Sequence, residues 1–316
     1  MFARALSSEF AREVRIGLTT SGQKSLPCRF LYDELGSALF EAITLLPEYG
    51  LTRADARVIR AHAAEVPEKV AGRIVTAELG SGSGVKTRAV LEEIARRQKT
   101  VYYPIDVSAG ALERCAVELA GVATVIPQHA GYLEGLQEVA CRRSAGETLL
   151  VLFLGSTIGN FEPDAAVDFL YAVRLCLRPG DALLLGTDLV KPAKQLIEAY
   201  DDAAGVTAAF NRNLLARINR ELEGDFDLRR FEHLVRYDRS AARVEMHLRA
   251  TERQTVNVAR AGLRVEFEPG ETIFTESCYK FRPEQVRQMA HAAGFRPEAQ
   301  WFDNEWPFAE SLLLAA

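Results

Sequence analysis

A glycine-rich segment is the strongest chemical signal in the sequence. Gly80, Gly82 and Gly84 stand at alternate positions directly after an apolar run that reads as a strand. Glycine lets the backbone adopt left-handed conformations and approach a ligand closely, which is typical of the loops that bind nucleotides. Asp106 ends the next predicted strand, 22 residues after Gly84, where a carboxylate can accept hydrogen bonds from ribose hydroxyls.

Three kinds of loop compete for this segment. A dinucleotide loop, G-x-G-x-x-G, requires a glycine where Val85 stands, and a phosphate-binding G-x-x-x-x-G-K-[ST] loop requires one at the same position, before Lys86 and Thr87. The pattern present, E-x-G-x-G-x-G, resembles motif I of class I methyltransferases, whose ligand has no phosphates. A plain glycine turn, with Asp106 capping the next helix, is the structural alternative.

A second polar segment follows the fourth predicted strand. Asn160 stands seven residues after Phe153, at the carboxyl end of that strand, where ligands bind in doubly wound sheets. Its amide offers one acceptor and two donors to a polar substrate. The alternative is that Asn160 caps the next helix, because Glu162, Pro163 and Asp164 are typical of a helix start.

Short apolar strands separated by amphipathic helices would position these loops. The predicted strands are Arg73–Leu79, Thr100–Ile105, Ala123–Ile126, Thr148–Leu154 and Asp181–Gly186. Nearly continuous apolar strands that alternate with helices predict a parallel sheet covered on both faces. The expected fold class is therefore α/β, a Rossmann-like doubly wound sheet.

The alternation stops after the fifth strand, which predicts a second domain. Residues 197–282 combine helical stretches with strands of period two, typical of a smaller α+β domain. We expect one domain from residues 58–196 and 283–316, and the other from residues 1–57 and 197–282. Within the N-terminal part, Thr52 and Asp55 have the spacing of a capping box for a helix over residues 53–66.

Composition excludes several classes of function. The 316-residue chain has a net charge of −5 and no run of basic residues, which disfavours a nucleic-acid or membrane partner. Five scattered cysteines without C-x-x-C, and five histidines without H-E-x-x-H, predict reduced thiols and no metal. The N-terminus lacks the apolar core of a signal peptide. We therefore expect a cytoplasmic monomer that acts on a small molecule.

Over nearly its whole length the sequence resembles the histidine Nα-methyltransferases of ergothioneine biosynthesis. The motifs that carry the resemblance include Leu46-Pro-Glu-Tyr49, Glu78-Leu-Gly-Ser-Gly-Ser-Gly84, Pro104-Ile-Asp-Val-Ser108, Phe153-Leu-Gly-Ser-Thr-Ile-Gly-Asn160, Ala199-Tyr-Asp-Asp-Ala-Ala-Gly-Val206, Phe210-Asn-Arg-Asn213, Val244-Glu-Met-His-Leu248 and Thr275-Glu276. The resemblance implies a class I methyltransferase fold and S-adenosylmethionine as methyl donor. It also implies three methylations of the α-amino group of L-histidine, which give the trimethyl betaine hercynine.

The resemblance assigns the donor to the first domain and the substrate mainly to the second. It implies donor contacts from Gly80, Ser81, Gly82, Lys86, Asp106, Gly131 and Tyr132. It implies substrate contacts from Tyr49, Asn160 and Tyr200, which hold the carboxylate and amine, from Glu276 on the imidazole, and from Phe40, Gly155, Met246 and Cys278 as lining. Asn160, Tyr32 and Tyr49 are the expected catalytic residues, with Asn160 orienting the amine and Tyr32 relaying its proton.

Two positions depart from the family pattern. Gly131 stands where the family usually has an acidic residue beside an aromatic one near the adenine, and Cys278 stands where it usually has a hydroxyl two residues after the glutamate. A thiol is a weaker hydrogen-bonding group than a hydroxyl. Histidine specificity is therefore less firmly implied than methyl transfer.

Other functions remain open at this stage. Glu276 could simply pair with Lys280, and the enzyme could methylate another amino acid or a small amine. The chain could also bind the donor without catalysis, as a regulatory module would. A nucleotide hydrolase is disfavoured because Val85 replaces the glycine that a phosphate-binding loop needs.

Overall fold

The computed structural model describes residues 2–316, with side chains from residue 9 onward, and it divides into two compact units. The sheet unit comprises residues 51–190 and 279–316, and the insertion unit comprises residues up to 50 together with residues 191–278. The assignment of donor binding to the first unit and substrate binding to the second stays a prediction.

Helices and strands follow the predicted order closely. The helices are α1 Phe2–Thr19, α2 Glu34–Thr44, α3 Leu51–His62, α4 Val66–Lys69, α5 Arg88–Ala95, α6 Ala109–Glu118, α7 Tyr132–Arg142, α8 Pro163–Leu175, α9 Ala193–Tyr200, α10 Val206–Leu222 and α11 Pro283–Ala292. The strands are β1 Lys24–Ser25, β2 Arg73–Leu79, β3 Val101–Asp106, β4 Thr124–Val125, β5 Gln128–His129, β6 Glu147–Phe153, β7 Ala182–Asp188, β8 Phe231–Asp238, β9 Arg243–Ala250, β10 Gln254–Val258, β11 Leu263–Phe267, β12 Thr272–Tyr279, β13 Phe295–Phe302 and β14 Phe308–Ala315. Four 3-10 turns complete the described chain: η1 Cys28–Leu31, η2 Thr157–Asn160, η3 Leu228–Arg230 and η4 Ala259–Ala261.

An eight-stranded sheet forms the centre of the sheet unit. Its order is β13-β14-β7-β6-β2-β3-β4. Strand β4 pairs with the first residues of β3, and β5 pairs with the last residues of β3 on the same side. Strands β2 to β7 run parallel, whereas β14 runs antiparallel to β7 and to β13. The chain leaves β2 toward β3 and returns on the other side through β6, so the order reverses between β2 and β6. Ligands bind at the carboxyl ends of the strands at such a reversal.

Apolar packing on the faces of this sheet holds the glycine segment in place. Ile74 on β2, Leu152 on β6 and Leu184 on β7 form one buried cluster with Val90 and Ile94 of α5. Complete burial of such side chains contributes about 1.5–3 kcal/mol each. The helix that follows the glycines is therefore anchored to the sheet, and the doubly wound α/β class is confirmed.

The insertion unit contains a four-stranded sheet of order β1-β12-β9-β8 and a separate β10-β11 ribbon. Strand β8 was not predicted, because most of its side chains are only partly buried and its apolar residues do not alternate cleanly. The sequence pattern predicts a helix only over Asn213–Leu222, but α10 begins seven residues earlier, at Val206. The Asp202 carboxylate accepts hydrogen bonds from the amides of Val206 (2.9 Å) and Thr207 (2.7 Å), which fixes that earlier start.

The predicted capping box at Thr52 and Asp55 is wrong. Helix α3 begins at Leu51, so Thr52 lies in its first turn, and the Asp55 carboxylate is fully buried and accepts bonds from Lys86 and from the Gly155 amide. Residues 51–57, grouped with the insertion from sequence, lie in the sheet unit because α3 buries one face there. The spacing of Thr52 and Asp55 in the sequence is the same whether Asp55 belongs to a capping box or is a buried carboxylate, so the spacing alone does not distinguish the two roles.

Within residues 2–316, no helix is both long enough and apolar enough to span a lipid bilayer.

Candidate active site

The glycine loop leaves the end of β2 in left-handed backbone conformations. The φ angles of Gly80, Gly82 and Gly84 are 73°, 52° and 75°, which residues with a Cβ rarely adopt. The amides of Gly82 (3.2 Å) and Ser108 (2.9 Å) donate to the two carboxylate oxygens of Asp106. The side chain that caps α6 is that of Ser108, so the alternative role of Asp106 as the helix cap is wrong.

Tyr132 lies directly against this loop. A methyl group at Gly80 would approach the Tyr132 hydroxyl to 3.2 Å, so the absence of a side chain there lets the ring sit close to the backbone. Gly131 precedes the ring as the N-terminal cap of α7, and a side chain at that position would meet no atom within 4 Å. Gly80, Ser81, Gly82, Asp106, Gly131 and Tyr132 are thus gathered around the ends of β2 and β3.

Glu78, the first residue of the glycine motif, stabilises the loop through hydrogen bonds to its side chain. Its buried carboxylate accepts hydrogen bonds from Thr87 Oγ1 (2.6 Å), just before α5, and from the Tyr102 hydroxyl on β3. Burial raises the pKa of Glu78 to about 7, and the two hydrogen bonds offset only part of that rise. The carboxyl group therefore ties both ends of the loop together and titrates near neutrality.

Replacing Glu78 with glutamine should change how stability depends on pH. The pKa is higher in the folded than in the unfolded protein, so the contribution of Glu78 is present below about pH 4.5 and is lost as the pH rises through 7. Glutamine keeps the shape of the neutral acid. Between about pH 5 and pH 8, the free energy of unfolding of Glu78→Gln should rise by about 2–3 kcal/mol relative to that of the wild type. Urea unfolding at the two pH values measures this. A constant difference would contradict the assignment.

Lys86 and Gly155 meet at the ends of β2 and β6. The Lys86 ammonium forms an ion pair with Asp55, and a methyl group at Gly155 would lie 3.2 Å from Lys86 Nζ. The Gly155 amide donates to Asp55 Oδ2 at 3.0 Å. Sequence reasoning missed Asp55 as part of this group. The available signal was an acidic residue between Leu51 and Val58 on the apolar face of a helix.

Asn160 ends the 3-10 turn that follows β6. Helix α8 begins at Pro163 with Glu162 as its cap residue, so the alternative role of Asn160 as a helix cap is wrong. The turn is held by Ser156, which has a φ of 59° and whose hydroxyl accepts from the Asp188 amide at 2.8 Å. Asn160 is half-buried and lies five residues after Gly155 on this fixed turn.

Four predicted aromatic residues cluster in the insertion unit. The Phe40 ring contacts Tyr32 (centroids 5.5 Å apart) and Tyr49 (6.3 Å), and Tyr49 contacts Tyr200 (6.0 Å), each close to edge-on. Phe210 of α10 contacts Tyr32 and Phe40 and was not among the predicted site residues. Aromatic rings attract cations through their π faces, so a cluster of this composition is suited to binding an ammonium group.

Glu276, Cys278 and Met246 lie on neighbouring strands of the insertion unit. Glu276 and Cys278 are two apart on β12, so their side chains share a face, and both are buried. Thr275 Oγ1 donates to the Met246 carbonyl on β9 at 3.0 Å, which joins the two strands at this point. Lys280 Nζ forms an ion pair with Asp188 at 3.0 Å in the sheet unit, and the alternative pairing of Glu276 with Lys280 stays a prediction.

A half-buried histidine fixes the backbone at Tyr200. His233 Nε2 lies 2.8 Å from the Tyr200 carbonyl and donates to it, while Asn211 Nδ2 lies 2.9 Å from His233 Nδ1 and donates to that nitrogen. Asn211 Nδ2 also donates to the His247 carbonyl at 3.0 Å. Burial lowers the pKa of His233, which keeps the ring neutral as this arrangement requires. Neither side chain was predicted to support the site.

The chain is similar to known methyltransferases over nearly its whole length. A family model described as histidine-specific, SAM-dependent methyltransferase matches residues 10–315. Histidine N-alpha-methyltransferases of Mycolicibacterium smegmatis and Mycobacterium tuberculosis are each 44% identical to the chain, covering 98% and 95% of it and 96% and 93% of their own lengths. An L-tryptophan methyltransferase of Psilocybe serbica is 25% identical, covering 91% of this chain and 87% of its own length.

The match extends over nearly the whole chain and includes both units, so it covers the glycine loop as well as the aromatic cluster. It confirms the expected family, an enzymatic function and S-adenosylmethionine as the methyl donor. The chain belongs to the family of histidine-specific, S-adenosylmethionine-dependent methyltransferases.

Proposed function

We propose that this enzyme transfers methyl groups to the α-amino nitrogen of L-histidine, three times in succession, to give the trimethyl betaine. Two relatives at 44% identity are histidine N-alpha-methyltransferases, and they support histidine as substrate and the α-nitrogen as acceptor. The single observation that supports a third methylation is the cluster of Tyr32, Phe40, Tyr49 and Tyr200, whose rings pack edge-on.

The sheet unit has groups that fit the ribose and the amino-acid end of the methyl donor. Asp106 holds two backbone amides yet retains lone pairs for ribose hydroxyls, and the Lys86 ammonium suits the carboxylate of the donor's amino-acid end. Gly82 is open, since a methyl group there would meet no atom within 4 Å. Bound S-adenosylmethionine supplies a methyl carbon on a sulfonium, already activated for in-line displacement by nitrogen.

On the substrate, Tyr49, Asn160 and Tyr200 hold the carboxylate and the amine, and Glu276 accepts a hydrogen bond from the imidazole. Only a neutral amine has the lone pair that displacement requires, so the ammonium of free histidine must first lose a proton. Tyr32 relays that proton toward water, and Asn160 orients the lone pair that is left. Phe40, Gly155, Met246 and Cys278 are the other residues that we infer to contact histidine.

Successive methylation removes the N–H groups of the substrate one by one. A site that depended on accepting hydrogen bonds from them would lose its substrate after the first or second transfer. Aromatic faces attract a cation whether or not it carries N–H groups, with a gain of about 0.5–2 kcal/mol. The cluster of Tyr32, Phe40, Tyr49 and Tyr200 therefore supports retention of the partly methylated amine through the third transfer.

A panel of acceptors with isotopically labelled donor tests the substrate. L-histidine should give a kcat/KM at least about 100-fold above L-tryptophan, L-tyrosine and histamine, because a site built to bind imidazole and carboxylate leaves buried polar groups unpaired with the others. Carbon NMR of the product should place the label on the α-nitrogen. Label on a ring nitrogen, or an equal kcat/KM for tryptophan, would reject the proposal.

Methylation of another amino acid is the second candidate, favoured by Cys278 and by the similarity to an L-tryptophan methyltransferase. Replacing Cys278 with serine should tighten histidine binding about threefold to tenfold, because a hydroxyl gives a stronger hydrogen bond than a thiol, by about 1 kcal/mol. Calorimetry with histidine measures this, and alanine at the same position is the matched control. Weaker binding by the serine variant would show that Cys278 does not face the imidazole.

We also infer that the enzyme is a cytoplasmic monomer, from its dispersed charge and its scattered cysteines. Light scattering during size-exclusion chromatography should give the mass of one chain at micromolar concentration, and a mass of two chains would contradict this.

A further inference from the structure

Three ionisable side chains meet beneath the glycine loop in the sheet unit. Asp55 comes from α3, Lys86 from the segment before α5 and Glu310 from β14. Asp55 and Glu310 are almost completely buried, whereas the Lys86 side chain is 25% exposed. Of the three side chains, only Lys86 has a role in the proposed function, as the partner of the donor's carboxylate. The two carboxyl groups have no assigned role.

Gly186 makes the room for this group. It pairs with Glu310 across β7 and β14, and a methyl group there would lie 2.7 Å from Glu310 Oε1 and 3.2 Å from the Gly155 amide nitrogen. Its backbone is ordinary extended strand, so the close approach, rather than the conformation, requires glycine. The Glu310 carboxyl and the Gly155 amide are therefore brought to the same point at the ends of β6 and β7.

The hydrogen bonds around Asp55 are unequal. Asp55 Oδ2 accepts from Lys86 and from the Gly155 amide, while Asp55 Oδ1 and both oxygens of Glu310 have no donor among the described residues. Among the neighbouring side chains, Asp55 raises the pKa of Glu310 most. Two ionised carboxylates this close would repel each other with only the Lys86 ammonium to offset both charges, whereas a proton on Glu310 allows a hydrogen bond to Asp55 Oδ1.

We propose that Asp55 and a protonated Glu310 form a hydrogen-bonded carboxyl pair that positions Lys86 and the Gly155 amide for binding of the methyl donor. The pair gives one negative charge to balance one ammonium, so the buried group is neutral. The hydrogen bond from Glu310 to Asp55 weakens the attraction of the Asp55 carboxylate for Lys86. The Lys86 ammonium can therefore also bind a second anion, the carboxylate of the donor. The inference rests on the proposed contact between Lys86 and the donor.

The other charged groups around the pair agree with this protonation. Burial, followed by the Asp55 carboxylate, raises the pKa of Glu310 well above its usual range, and Lys86 opposes that rise without cancelling it. Glu78 on β2 is a further acid nearby that raises the pKa of Glu310, and His62 of α3 lines the same small cavity as Glu310. Burial lowers the pKa of Lys86, but the Asp55 carboxylate outweighs it and leaves that pKa raised.

Three variants test the pair by calorimetry with S-adenosylhomocysteine and, separately, with histidine. Glu310→Gln should bind S-adenosylhomocysteine within about twofold of the wild type, because the amide N–H replaces the acid proton. Asp55→Asn should bind it at least about tenfold more weakly, because Lys86 and the Gly155 amide lose the charged acceptor that positions them. Asp181→Asn is the matched control: it removes the carboxylate of the buried pair with Arg143 and should lower Tm without changing this affinity.

The outcomes separate this inference from the proposed donor contact. If Lys86→Met leaves the affinity for S-adenosylhomocysteine unchanged, the contact itself is rejected. If Lys86→Met weakens binding at least about tenfold but Asp55→Asn does not, the contact stands and the role of the carboxyl pair is overturned. A tenfold loss in Glu310→Gln would also overturn it, because an ionised Glu310 would then be required.

Infrared spectroscopy of the unmodified enzyme decides the case even if Asp55→Asn fails to fold. At about pH 8.5, above the raised pKa of Glu78, a carbonyl band of a protonated carboxylic acid should persist and should be absent from Glu310→Gln. Absence of the band in the wild type would overturn the proposal.

Discussion

Replacing Glu276 with alanine should weaken histidine binding about 30- to 100-fold while leaving the affinity for S-adenosylhomocysteine within about twofold. The reason is that a hydrogen bond to a buried charged acceptor contributes about 2–3 kcal/mol, and its loss leaves the imidazole N–H unpaired. Glu276 is buried on β12 beside Cys278, in the insertion unit and away from the glycine loop in sequence. Calorimetric titration with each ligand measures both affinities.

Two further variants separate charge from packing at this position. Glu276→Gln keeps an acceptor oxygen but loses the charge, so its loss of histidine affinity should be intermediate, about tenfold. Ser277→Ala changes the next residue of the same strand, which is equally buried but points to the opposite face, and should leave histidine affinity unchanged. An equal loss of affinity for both ligands in Glu276→Ala would contradict a specific role in imidazole binding.

Replacing Gly80 with alanine should weaken S-adenosylhomocysteine binding at least about tenfold and lower Tm. The φ of 73° forces a left-handed conformation on the alanine, which costs about 1–2 kcal/mol, and its methyl group would press on the Tyr132 ring at 3.2–3.3 Å. Either response, a shifted loop or a displaced ring, moves groups that we assign to the donor. Calorimetry and thermal unfolding with and without ligand measure the two effects.

Gly146→Ala is the control for backbone strain alone. Its φ is 82°, its added methyl group would meet no atom within 4 Å, and it lies in the turn before β6, in the same unit. It should lower the free energy of unfolding by about 1 kcal/mol without changing the affinity for S-adenosylhomocysteine. If both variants lose affinity equally, the effect of Gly80→Ala reflects general destabilisation rather than the loop.

The parallel strands were predicted well because strands that are buried on both faces are almost continuously apolar, and such runs are recognisable in the sequence. Strand β2 has the bounds that were predicted, and β6 differs by one residue at each end. The sequence pattern predicts the last strand only over Ser311–Leu314, whereas β14 begins at Phe308, because Glu310 is a polar residue that is nonetheless buried within it. Local pattern gives no means of telling such a residue from the end of a strand.

The contacts that support the site could not be predicted for a related reason. Asp55 and Glu310 are far apart in the chain, and only the tertiary fold brings them to one point beside Gly155. His233 likewise supports Tyr200 through a backbone carbonyl, an interaction that leaves no sequence motif. By contrast, the glycines were predictable because the left-handed loop demands that residue type, and Asp106 because it ends the next apolar strand.

Mass spectrometry of L-histidine incubated with the enzyme and S-adenosylmethionine shows whether the enzyme trimethylates histidine. We expect products that carry one, two and then three added methyl groups, with the trimethylated species accumulating at the end and one S-adenosylhomocysteine released per methyl group. Histidine recovered without any added methyl group, from enzyme that binds S-adenosylhomocysteine, would contradict it.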